Sequence, residues 1–73
     1  MKNIKLIRVV KDYTQVKVQM DTTISQSDIS KYENSRAHPT AENLIILAKY
    51  YNVSADFLLD LTDEQRPYPP KRH

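Results

Sequence analysis

Four times in this chain a serine or threonine stands between two apolar residues five positions apart: Thr14 between Tyr13 and Val18, Ser25 between Ile24 and Ile29, Thr40 between Pro39 and Leu44, and Ser54 between Val53 and Leu58. Such a hydroxyl accepts a hydrogen bond from the free N–H groups of a helix's first turn, and the flanking apolar pair staples the entering chain to that turn. The pattern predicts four helix starts. The helices that follow are expected over 15–21, 26–34, 41–51 and 55–60. Ahead of them, Ile4, Ile7 and Lys11 recur at helical spacing with Leu6, Val9 and Val10 beside them, which predicts a first helix over 3–12. Its apolar surface is wider than one stripe, and we read that width as burial on two sides within the monomer in preference to a contact surface. No strand pattern, internal repeat or heptad run competes, so the expected fold class is all-α, with five helices.

The helix expected over 41–51 carries Leu44, Leu47, Ala48 and Tyr51 on one face as a core stripe, with Ile46 and Tyr50 off it. Asn52 follows. In a chain with no glycine it is the residue best suited to end a helix in the left-handed conformation. Tyr13, Tyr32 and Tyr51 occupy staple or stripe positions and are assigned to the core. From Thr62 to His73 the sequence is polar and holds Pro67, Pro69 and Pro70, which predicts an extended or disordered tail after a domain spanning 1–61.

A length of 73 residues suits one small core, and with no cysteine the fold has no disulfide or thiolate metal site to hold it. No apolar run is long enough to span a bilayer, and the expected location is cytoplasmic. No nucleophile is paired with a base, no glycine-rich phosphate loop is possible, and His38 and His73 lack the companions of a metal site. We therefore expect no catalysis, no metal, no cofactor and no small-molecule ligand. The net charge is +2, but it is uneven: residues 1–36 hold seven Lys or Arg against four Asp or Glu, while residues 37–65 hold one against five. A basic front of that kind suits a polyanion, although ordinary solvated helix faces explain it equally well.

The stretch Ser25-Gln26-Ser27-Asp28-Ile29-Ser30-Lys31-Tyr32-Glu33 has the most to say about function. Ser25 and Asp28 have capping-box spacing, with the acid near the positive helix end, so Asp28 is assigned to capping in preference to cytosine recognition. Ile29 and Tyr32 fall on one side, while Gln26, Ser27, Ser30 and Lys31 point elsewhere. Gln26 offers an amide that can bond bidentately to adenine, Lys31 suits guanine O6 and N7, and Ser27 serves either base. A short helix, a turn and this second helix have the spacing of a helix-turn-helix.

From Thr14-Gln15 through Ile24 to Asn34, then Pro39-Thr40, Leu44, Leu47-Ala48 and Val53-Ser54 through Phe57-Leu58-Leu59, the chain resembles the Cro/cI-like (Xre-type) helix-turn-helix regulators, in register over about residues 3 to 60. The resemblance implies a compact lambda-repressor-like domain that binds double-stranded DNA and regulates transcription, as a repressor of phage, prophage or bacterial type. It implies a homodimer on a palindromic operator; the last helix with Phe57 and Leu61, and nearby Ile46 and Tyr50, is our expected interface. By position it assigns base contacts to Gln26, Ser27 and Lys31, and backbone contacts to Gln15, Asn34, Ser35, Arg36 and His38; Lys17 and Ser30 are expected to add backbone contacts beside them. Arg8 and Glu33 match a structural ion pair. Two positions depart from the pattern. Gln19 stands where a small residue usually lets the two helices approach, and Thr23 where the turn usually has glycine, which predicts a non-standard turn or an early helix end at Asp21-Thr22. The alternative function is an antitoxin-like or adaptor module whose main partner is another protein, motivated by the wide apolar face of the first helix.

Overall fold

Five helices form in the order α1 (Lys2–Val10), α2 (Gln15–Thr22), α3 (Gln26–Glu33), α4 (Ala41–Tyr51) and α5 (Ala55–Leu58), in a computed structural model that describes residues 1–67. Pro69, Pro70 and the run Lys71-Arg72-His73 of the expected tail lie outside the described residues. Each expected cap is made: Thr14, Ser25, Thr40 and Ser54 accept from the backbone N–H groups of Lys17, Asp28, Asn43 and Phe57. The stapling residues Val18, Ile24, Ile29, Val53 and Leu58 are all buried.

α1 has no side-chain cap of its own. The Asp60 carboxylate supplies one from the far end of the chain, accepting from the N–H groups of Lys2 (3.0 Å) and Asn3 (2.8 Å), while Asn3 Nδ2 donates to the Phe57 carbonyl (2.8 Å). The Met1 amino group donates to the Tyr32 and Glu33 carbonyls at 2.9 and 3.3 Å and to Ser35 Oγ, which ties the start of α1 to the end of α3.

Every helix ends on a residue with left-handed backbone: Asp12, Thr23, Ser35, Asn52 and Asp60, with φ of 56 to 64°. After α1, α3, α4 and α5 the next N–H reaches back five residues, as in Tyr13 to Arg8 O and Arg36 to Lys31 O, which satisfies carbonyls the helix leaves free. Asn52 is as expected. The other four show that in a glycine-free chain short polar side chains take the same role, Thr23 at the greatest steric cost.

α1 packs on α3 and α5, α2 on α3 and α4, and α4 on α5, around a core that includes Ile4, Ile7, Leu47, Tyr51 and Tyr32. Two expectations are corrected here. α1 buries one stripe, Ile4 and Ile7, and leaves Leu6, Val9 and Val10 exposed at 43%, 55% and 69%. Its neighbours lie along one side of the helix only, so burial on two sides does not occur. Phe57, expected at a dimer interface, is 2% exposed, because the single turn of α5 packs against α1 and α4 and uses that ring for the core. Ile46 and Tyr50 are half-buried against the same core, and of that expected interface only Leu61 is exposed.

Residues 62–67 have no helix or strand. They return to α5, where the Ser54 N–H donates to Gln65 O (3.0 Å) and Ser54 Oγ to Glu64 O (3.1 Å).

Candidate nucleic-acid interface

The turn between α2 and α3 is built on Thr23. α2 does not end early: it runs through Thr22, and Thr23 takes φ 64° and ψ 3° with its N–H bonded to Gln19 O (2.8 Å). The turn keeps left-handed geometry with a β-branched residue in place. Thr22 braces it, its Oγ donating to Val18 O (2.7 Å) and accepting from the Ile24 N–H (3.2 Å). Ile24 then enters the core, and Ser25 starts α3. The Asp28 N–H bonds Ser25 Oγ, but no reciprocal bond from the Ser25 N–H to the Asp28 carboxylate forms among the described residues, so the capping box is half made and Asp28 acts on the helix start through its charge.

α3 divides cleanly. Ile29, Tyr32 and Glu33 are buried, whereas Gln26, Ser27 and Lys31 are exposed and Ser30 is half-exposed. The proposed base readers therefore share the outer side of a helix whose inner side is fixed by packing. Tyr32 adds a hydroxyl that accepts from Asn43 Nδ2 (2.9 Å) and links α3 to α4.

The inner side also carries an ion pair. Arg8 Nε and a terminal guanidinium nitrogen donate to the two Glu33 oxygens at 2.6 and 3.0 Å, and the other guanidinium nitrogen donates to Tyr13 O (2.8 Å). The side chains are 14% and 1% exposed. The bond to Glu33 pushes the guanidinium further above its ordinary range, so Arg8 keeps its charge. Gln15 joins it, with Nε2 donating to Glu33 Oε1 (3.1 Å) and Oε1 facing Gln26 Nε2 at 3.5 Å. A carboxylate only accepts, so Glu33 fixes which end of the Gln15 amide faces inward and hence which end faces Gln26. One polar chain thus runs from α1 through the end of α3 to the first residue of the outer face.

The residues assigned to backbone contacts surround this face unevenly. Asn34, Ser35, Arg36 and His38 are exposed in the segment after α3, with Asn34 Nδ2 bonded to Ser30 Oγ (3.3 Å). Gln15 is half-buried and already committed to Glu33. Lys17 is exposed and lies 2.8 Å from Asp21, one turn on, and 5.0 Å from the Tyr13 ring centroid. That carboxylate raises the lysine's proton affinity, and its own pKa is lowered by Lys17 and then by the Tyr50 hydroxyl at 2.5 Å. A recess of about 450 Å³ opens beside Gln15 and Gln26, lined also by Val9, Tyr13, Thr14 and Val16.

Sequence reasoning missed one participant. Gln19, noted only as too large for its place, is exposed, and its Oε1 accepts the Gln26 N–H at 2.6 Å. Its spacing of four from Gln15 is the signal that could have found it, since both side chains leave α2 on the side facing α3.

A family model described as a helix-turn-helix domain matches residues 1–64. A Bacillus subtilis (strain 168) protein named as an uncharacterized HTH-type transcriptional regulator, YobD, is 41% identical over 44 residues, 60% of this chain and 39% of that protein. The chain thus spans well under half the length of the curated relative it matches. No solved structure matches. Among the described residues no helix is long and apolar enough to cross a membrane, and no group of three His, Cys, Asp or Glu is placed to hold a metal.

Proposed function

The chain belongs to the helix-turn-helix domain family, and from that premise we propose that it is a sequence-specific, double-stranded DNA-binding regulator of transcription, acting as a repressor. The observation that carries the reading is the two-sided character of α3: an amide, a hydroxyl and an ammonium outside, and Ile29, Tyr32 and the Glu33 ion pair holding the other side. In this reading residues 1–61 are the DNA-binding unit and α3 lies in the major groove. Gln26 reads adenine, Lys31 reads guanine and Ser27 contacts either. Gln15, Ser30 and the Asn34-Ser35-Arg36 segment hold phosphates, with Lys17 and His38 at the margin, and fix register without specifying sequence. One such unit reads few base pairs, so two copies bind a palindromic operator at half-sites about one helical turn apart.

The test is substitution with selection from a random duplex pool. Gln26→Ala and Lys31→Ala should each relax preference at one position by about 1–3 kcal/mol, whereas Arg36→Ala should weaken all sequences alike and lower the salt slope by about 1. Equal weakening by all three refutes the division of roles. A second reading, a module that binds another protein first, is favoured by the exposed Leu6, Val9 and Val10 on α1. It predicts that the wild-type chain enriches no sequence at modest salt.

A further inference from the structure

We infer that Gln19 is a specificity-determining positioning residue, which sets the base preference of α3 by holding the backbone of its first residue, Gln26. The inference rests on the DNA-reading proposed for α3 and deepens it.

α3 begins with N–H groups that have no partner inside the helix. The Ser25 hydroxyl serves the third of them, at Asp28, and leaves the first, at Gln26, free. Gln19 takes it at 2.6 Å, so the helix start is held twice, once by its own cap and once from α2. Gln15 and Gln19 lie one turn apart on α2, and both converge on Gln26: Gln19 on the backbone N–H, Gln15 facing the side-chain amide at 3.5 Å. The first residue of a helix is the one most prone to fray, and a side chain that reads a base edge discriminates only if it is already held near the productive geometry. Gln19 supplies that hold at the backbone, from which the Gln26 side chain departs.

The bond also orients Gln19 itself. With Oε1 committed to an N–H, the Nε2 end faces away from Gln26, and the exposed side chain holds its donor end free at the edge of the reading face. A carboxylate in place of that amide would repel phosphate oxygens. Two consequences separate. Removing the acceptor loosens Gln26, whereas adding charge while keeping the acceptor penalises every duplex alike.

The experiment is pool selection with the full chain for wild type, Gln19→Ala and Gln19→Glu, alongside binding to a random duplex and amide hydrogen exchange by NMR. Gln19 is exposed, so its truncation opens no core cavity. Gln19→Ala should flatten the preference at the one position read by Gln26 by about fivefold or more, with random-duplex affinity within about twofold of wild type, since a good bidentate contact discriminates by at least about 1 kcal/mol. Exchange at the Gln26 amide should quicken in the same variant. Gln19→Glu should keep the preference and the slow exchange while binding all duplexes more weakly. An unchanged selection profile for Gln19→Ala, beside a wild type that enriches a clear sequence, overturns this inference alone. So does an equal loss at every position, which would mark a merely structural role. A wild-type chain that enriches nothing overturns the DNA-reading itself and this inference with it.

Discussion

Replacing Arg8 by methionine keeps the aliphatic stem and removes the charge that Glu33 depends on. The Glu33 carboxylate is 1% exposed and takes two of its three hydrogen bonds from Arg8, at 2.6 and 3.0 Å, the third coming from Gln15 at 3.1 Å. Arg8→Met strands that carboxylate with one neutral donor and also leaves Tyr13 O without its guanidinium partner. Breaking a buried pair on one side costs about 3–5 kcal/mol. At roughly 0.05–0.15 kcal/mol per residue a chain of this size has about 4–11 kcal/mol in all. With a urea slope near about 1 kcal/mol/M for a small domain, the midpoint should fall by about 3–5 M, which at the low end of that stability range leaves much of the population unfolded without denaturant. The double substitution Arg8→Met with Glu33→Leu strands no charge and should return to within about 2 kcal/mol of wild type, as buried pairs exchanged for apolar side chains often do. Urea melts followed by far-ultraviolet circular dichroism measure both. A single variant that loses less than about 1 kcal/mol, the cost typical of an exposed bridge, would refute the claim that this pair is a buried tie. A double variant no better than the single would refute the stranded-charge mechanism.

Thr23→Gly should stabilise the fold. A left-handed non-glycine residue costs roughly 1–2 kcal/mol and a glycine loses about 0.5–1 in chain entropy, so the net gain is up to about 1.5 kcal/mol and a few degrees in Tm; a lower Tm would contradict the strain assigned to that turn. Tyr51→Phe should be neutral or stabilising, because the hydroxyl is buried with no hydrogen-bond partner among the described residues. The same substitution tests a pH dependence. Burial first, and then the Glu33 carboxylate, push the Tyr51 phenol above its ordinary value of 10.0, so the folded state keeps it neutral where the unfolded chain ionises. That contribution is complete below the ordinary value and is lost as pH rises past it. Urea midpoints should therefore fall less steeply above that pH in Tyr51→Phe than in wild type, and parallel curves would contradict the assignment.

The helix starts were legible because each is written locally: a hydroxyl three residues before the N–H it serves, with its apolar pair around it. The two-sided α3 and the Arg8–Glu33 pair are legible for a second reason, the matching order of residues along the whole domain. What escaped is what the chain builds across distance. The cap of α1 comes from Asp60, 57 positions from Asn3, and no local pattern at Lys2 announces it. By size alone Gln19 reads as an obstruction, but its amide oxygen accepts the first N–H of α3 and the side chain folds over that helix start instead of wedging the helices apart. The exposure of Leu6, Val9 and Val10 is not legible because apolar width shows that a helix can be buried on two sides, not that neighbours exist to bury it. Phe57 was placed at an interface for the converse reason. A helix of one turn has no outer face to spare for a large ring, and that shortness is set by Asp60, which turns the chain at φ 63° with no glycine to mark the place.

The most direct test of the central claim, that α3 presents its outer face to a duplex, is a titration of the isotope-labelled full chain with the duplex it selects, followed residue by residue by NMR. The largest shifts should fall on Gln15, Gln26, Ser27, Lys31 and Arg36, with Ile29 and Tyr32 little changed. Shifts centred on Leu6, Val9 and Val10, with α3 silent, would contradict it.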